Sequence, residues 1–189
     1  MKYWGVFVFF LYVFPQSTLN AVENDQQIVA REDVIKAKMM LNFIYFSNWP
    51  QSNPSDDRTN NDPFTICIEG DNEILKPALL KFAKVSSSNN SDSLKVIPYQ
   101  QTTRNACQML FISSHDKDRL KRILHQLNNQ PTLVFSDTPS FAELGSHINF
   151  YIKDSQVRFE INYPAVTKTG INISSRVLSL AKLVGVAQL

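Results

Sequence analysis

Few residues in this chain are of a type and spacing that could do chemistry. The three histidines, His115, His125 and His147, stand at no recognised metal spacing to another ligand, and Cys67 and Cys107 do not form a C-x-x-C pair. A Cys107–His147–Asp137 nucleophilic set can be written down, but nothing in the sequence places the three together, and Cys107 opens a run that reads as buried. His115 falls in Ser113-Ser114-His115-Asp116 and reads as a capping-region side chain. There is no G-x-G-x-x-G and no Walker loop. The expectation is a protein without catalytic residues, cofactor or metal, which acts by binding. Its polar strand ends are Glu69 and Asp71 around a single-glycine turn, Ser113, and Ser136 with Asp137. In an open α/β sheet these lie along one edge, where a small polar ligand could sit. The competing account is that they only cap helices.

The elements that must hold these residues follow from hydrophobic periodicity. Asp33 caps a helix over Val34–Trp49 with Ile35, Met39, Ile44 and Phe46 on a broad apolar face, and Pro50 stops it. Residues 22–30 read as loose, and Gln51–Asp62 and Ser86–Ser93 as polar loops. Phe64–Ile68, Leu94–Pro98, Cys107–Ile112 and Thr132–Phe135 read as strands, the second at an edge because of its proline and the third buried on both faces. Helices are expected up to about Lys84, over Asp116–Leu127 after a Ser113-Ser114 cap, and briefly around Phe141 before Gly145. Ile148–Ile152 and Val157–Ile161 form a hairpin, with Val157, Phe159 and Ile161 on one side and Arg158, Glu160 and Asn162 on the other. Pro164 opens a final helical region, interrupted at Gly170 and restarted by Ser174-Ser175, with Val177, Leu178, Leu180, Ala181 and Val184 as its apolar face. Strands alternating with helices give an α/β fold. It has a mainly parallel sheet, helices on both faces and an antiparallel hairpin at the margin.

Met1 and Lys2 precede an uncharged apolar run from Trp4 to Phe14, then Pro15–Ala21. This is the pattern of a secretory signal over residues 1–21, with cleavage after Ala21 and a mature domain of 22–189. The run is shorter than the roughly 20 residues that cross a bilayer. Losing Lys2 takes the net charge from +2 to +1, so there is no electrostatic case for nucleic acid. Lys168, Arg176 and Lys182 are a sparse series that reads as a solvated helix face. In an oxidising compartment Cys67 and Cys107 could bridge if their strands are neighbours and the register agrees; otherwise they remain two reduced core thiols.

Several segments together resemble the YfiR-like proteins, periplasmic regulators of membrane-bound diguanylate cyclases. They are Phe43–Pro50 closing in Trp-Pro, Phe64–Asp71, Cys107–Ser113, Leu133–Asp137, Phe141–Gly145, Val157–Asn162 and Gly170–Leu178. The resemblance runs from about Val34 to Leu183 and departs at Ser146-His147, where the family has more glycine. It implies that Cys67 and Cys107 pair. It also implies that the chain binds the periplasmic segment of an inner-membrane diguanylate cyclase and represses it, lowering cyclic di-GMP and biofilm formation. An outer-membrane lipoprotein and a second copy of the chain are further partners in that picture. On this reading Arg158, Glu160, Asn162, Ser174, Ser175 and Arg176 form the docking surface. The bland alternative is that Glu160 pairs with Arg158 or Arg176 and Ser174 caps the last helix.

Overall fold

The computed structural model describes residues 19–50, 63–86, 94–100 and 106–185. The expected signal segment up to residue 18, the loop expected at 51–62 and most of that at 86–93 lie outside the described residues. In chain order the elements are α1 (Leu19–Phe46), β1 (Ser47–Asn48), β2 (Phe64–Glu69), α2 (Leu75–Ser86), β3 (Leu94–Pro98), β4 (Met109–Ile112), α3 (Lys117–Leu127) and β5 (Leu133–Ser136). The hairpin arms β6 (Ile148–Lys153) and β7 (Gln156–Asn162) follow, then α4 (Tyr163–Lys168), β8 (Asn172–Ile173), α5 (Ser175–Leu178) and β9 (Lys182–Val184).

Seven strands form one sheet in the order β3-β2-β4-β5-β6-β7-β9, and every pairing is parallel except that of β6 with β7. The chain steps outward from β2 to β3, then crosses back to β4 and continues to β5. Parallel crossovers keep one hand, so steps in opposite directions lay their helices on opposite faces. Burial follows that rule. Ile66, Ile68, Met109, Phe111, Leu133 and Phe135 meet Ala37, Met40 and Phe43 of α1 and Leu75 and Leu79 of α2. The alternate residues Cys67, Leu110, Ile112 and Val134 meet Leu120, Ile123 and Leu127 of α3. Phe43 sits edge-on to Phe135 and Phe159, with ring centroids 5.3 and 5.6 Å away, and ties α1 to both halves of the sheet. The hairpin closes through Asp154 (φ 51°) and Ser155 (φ 56°), the left-handed pair that matches the twist of the arms.

The parallel core and the hairpin agree with the periodicity; the helix ends differ from it. α1 begins at Leu19, so residues 22–30 are helical rather than loose. Its buried apolar positions are Ala37, Met40 and Phe43, while Phe46 and Tyr45 (71% exposed) face out past the end of the core. The cap of α3 is Asp116, whose carboxylate accepts from Asp118 N and Arg119 N, not Ser113-Ser114. The segment around Phe141 is a chain of turns, because Ser140 takes φ 69° and breaks helical continuity. The last helix is the four-residue α5. Its apolar continuation extends instead as β9, an outer edge strand beside β7, so Lys182 lies on a strand. β8 pairs with β1 at the end of α1.

The two cysteines meet across neighbouring strands. Cys67 on β2 and Cys107 just before β4 form a disulfide with a Cα–Cα distance of 5.7 Å, enclosed in the cluster under α3. Cys107 is therefore no nucleophile.

Candidate functional site

The polar strand ends fall into two groups. At the crossover point between β2 and β4, Glu69 is 2% exposed and ion-paired with Arg119, and Ser114 N donates to its other oxygen at 3.4 Å. Asp71 beside it is exposed. Gly70 (φ +82°) brings the turn against Ser113, to which an added Cβ would lie 3.4 Å away. The Ser113 hydroxyl is buried without a hydrogen-bond partner among the described residues. At this crossover notch, one of the places where a small polar ligand could sit, the Glu69 carboxylate is held in an ion pair with Arg119.

Farther along the edge, Ser136 and Asp137 belong to a different constellation. The side chain of Lys36, buried on α1, donates to Asp137 at 2.7 Å and to Asp33 at 3.0 Å. Burial opposes its charge, but the two carboxylates outweigh burial and hold its pKa above the ordinary lysine value. Ser136, Asn149, Glu160 and Lys182 occupy one register row across β5, β6, β7 and β9. Ser136 Oγ donates to Asn149 Oδ1 (2.6 Å), Asn149 Nδ2 to Glu160 (3.3 Å), and Lys182 Nζ to Glu160 (3.1 Å). The hydrogen bond and charge of Glu160 raise the Lys182 pKa. Sequence reading missed Lys36, Asn149 and Lys182. The one signal available was Asn149, a polar residue inside Ile148–Ile152.

The six residues expected to form one docking patch are not brought together. Arg158 is exposed and donates to Gln156. Glu160 and Asn162 are each 8% exposed. Glu160 takes Lys182 rather than Arg158 or Arg176 as its cation, because β9 lies alongside β7. Asn162 caps α4, accepting from Ala165 N at 3.0 Å and donating to Ala142 O at 2.7 Å. Ser174, Ser175 and Arg176 lie on the opposite side of the sheet, where α5 packs Val177 against the α1 cluster. Ser174 N donates to Phe46 O at 2.9 Å, and its hydroxyl is buried without a partner among the described residues instead of capping α5. Ser175 and Arg176 are exposed.

His147 is a structural histidine. Its Nδ1 accepts from Val134 N at 3.0 Å, joining the starts of β5 and β6. Burial pushes its pKa down from 6.5 to about 4, partly opposed by a backbone hydrogen bond with Thr132. The folded value lies below the unfolded one. The stability His147 brings is therefore complete above pH 6.5 and lost as pH falls through about 4. The interval corresponds to roughly 3 kcal/mol. Thermal melting followed between pH 7 and 4 is expected to drop more steeply in the wild type than in His147→Gln, which keeps an acceptor but cannot titrate. Parallel pH profiles would contradict this.

Comparison with known proteins places these features in context. A family model described as YfiR/HmsC-like matches residues 33–182. No curated protein matches. Among solved structures, a conserved domain protein from Vibrio cholerae is 16% identical, covering 63% of this chain and 54% of that one, with a TM-score of 0.45. The ABC domain in complex with L-Trp from Streptococcus pneumonia is 10% identical, covering 64% and 54%, with a TM-score of 0.43. The chain spans about half the length of both.

Proposed function

The chain belongs to the YfiR/HmsC-like family, and from that premise we propose that it is an exported regulator that binds the periplasmic segment of an inner-membrane diguanylate cyclase and holds it inactive. The observation that carries this reading is the family match over residues 33–182. The family's members are regulators rather than enzymes. The Cys67–Cys107 disulfide suits an oxidising compartment. No helix among the described residues is long and apolar enough to cross a membrane. The unit we propose is residues 22–189, released by cleavage after Ala21. An outer-membrane lipoprotein and a second copy of the chain are further partners on this reading.

Of the six docking residues, the exposed ones, Arg158, Ser175 and Arg176, are those a partner can reach. Glu160, Asn162 and Ser174 act from beneath by holding β9, α4 and the end of α1 in place. Because exposed substitutions typically change stability by less than about 0.5 kcal/mol, Arg158→Glu and Arg176→Glu are expected to melt like the wild type. At least one of them should release the cyclase, and cellular cyclic di-GMP should rise toward the level of a strain lacking the protein. Recovery of the cyclase from membranes by the tagged protein gives the direct readout. If both variants repress fully and no cyclase is recovered, the reading fails.

A further inference from the structure

β5 and β6 are paired over only two positions, Phe135 with Ile148 and Ser136 with Asn149. One residue earlier a side chain completes the ladder. Val134 N donates to His147 Nδ1 at 3.0 Å, so the imidazole takes the place of a main-chain acceptor. The ring is 7% exposed and also makes a hydrogen bond with the Thr132 main chain. The main chain of His147 carries the link onward. Its carbonyl accepts from Asn162 N at 2.9 Å. The Asn162 side chain in turn caps α4 through Ala165 N and holds the turn after β5 through Ala142 O. One residue thus joins the starts of β5 and β6 to the end of β7 and the start of α4.

The junction accepts only the neutral ring. Nδ1 needs its lone pair to accept from Val134 N; once protonated, it sets a donor against a donor. Beside the ring lies an open cavity of about 160 Å³, lined from α3 by Leu124 and Leu127 and from α4 by Ala165 and Lys168. α3, the turns at Asn129 and Gly145, and α4 with Thr169 all face the ring there, and the only other titratable side chain they bring is Lys168. Its charge repels an imidazolium, and no carboxylate in the lining offsets it. From β5 the ring meets only the main chain of Thr132 and Val134. A protonated ring is therefore stable outside its slot, and the cavity is its way to solvent.

We propose that this junction is an acid-operated catch: protonation of His147 expels the ring from its slot, and the start of β6, α4 and the turn carrying Ala142 loosen while β2 and β4 stay formed. The proposal stands apart from the cyclase reading, and its test needs only the purified protein. A ring that titrates at about 4 in the closed junction and at 6.5 once free makes the open form about a hundredfold more populated at pH 4 than at pH 7. Amide hydrogen exchange, corrected for the intrinsic effect of pH, reads that opening. Val134 and Ala165 are expected to exchange faster than Phe111, which is wholly buried on β4, at both pH values. Their protection should fall about a hundredfold between pH 7 and pH 4. His147→Gln keeps an acceptor but cannot titrate, and most of that fall should vanish in it. The ring signals of His147, followed by NMR in the wild type, should titrate at about pH 4, a reading that needs no variant. Val134 and Phe111 exchanging at one common rate, protection of Val134 unchanged between the two pH values, or the same fall in His147→Gln would each overturn the proposal.

Discussion

Cys67→Ala is expected to unfold about 4 kcal/mol more easily than the wild type and to melt roughly 10 °C lower. The bridge joins two residues 40 apart in sequence. Holding that loop closed removes conformational freedom from the unfolded chain, and the chain-entropy relation for such a loop gives the stated magnitude. The native state offers little to offset the loss. Cys67 is wholly buried and Cys107 nearly so, beneath α3, and the alanine leaves unfilled volume there. Wild-type protein treated with a reductant should melt close to the variant, and the oxidised wild type should show no free thiol under denaturing conditions. If oxidised, reduced and substituted proteins all melt together, the bridge contributes nothing to stability.

Lys36→Met should cost a similar amount, about 3–5 kcal/mol, for a different reason. The methionine fills the space of the lysine stem but strands the carboxylates of Asp33 and Asp137, which share its ammonium group at 3.0 and 2.7 Å. Asp33 is 5% exposed, and a buried carboxylate without a counter-charge is strongly disfavoured. Adding Asp33→Asn and Asp137→Asn to Lys36→Met should recover most of the stability. Urea unfolding of the wild type, Lys36→Met and the triple variant at pH 7 reads all of this. Equal stability of Lys36→Met and wild type at pH 7 would show that the triad is energetically idle.

The fold was legible wherever one periodicity governed a whole element. Met109–Ile112 and Leu133–Ser136 are buried on both faces because helices cover both, and the hairpin arms pair in unbroken register from Ile148–Ile161 to Lys153–Gln156. Reading faltered where two periods fit the same residues. Val177, Leu178, Ala181 and Val184 satisfy helical spacing, yet only Ser175–Leu178 is helical. Lys182–Val184 gains more from pairing with Glu160–Asn162 than from another turn. The candidate site was mostly illegible for a related reason. Asp137 announced itself as a strand end, but its partner Lys36 lies 101 residues earlier. The row Ser136, Asn149, Glu160 and Lys182 exists only once four strands have found their register. The disulfide lay between these extremes: strand adjacency and register were the missing facts.

The two outer strands bear on what the molecule avoids. β3 carries Lys95 and ends in Pro98, while β9 is three residues long, begins with Lys182 and is cut off by Gly185 at φ +73°. A short strand, an edge lysine and a terminal proline each discourage a further strand from adding to the sheet. Among the described residues, the main-chain hydrogen-bonding groups of both borders are thereby poor templates for aggregation or for fusing neighbouring copies into a continuous sheet.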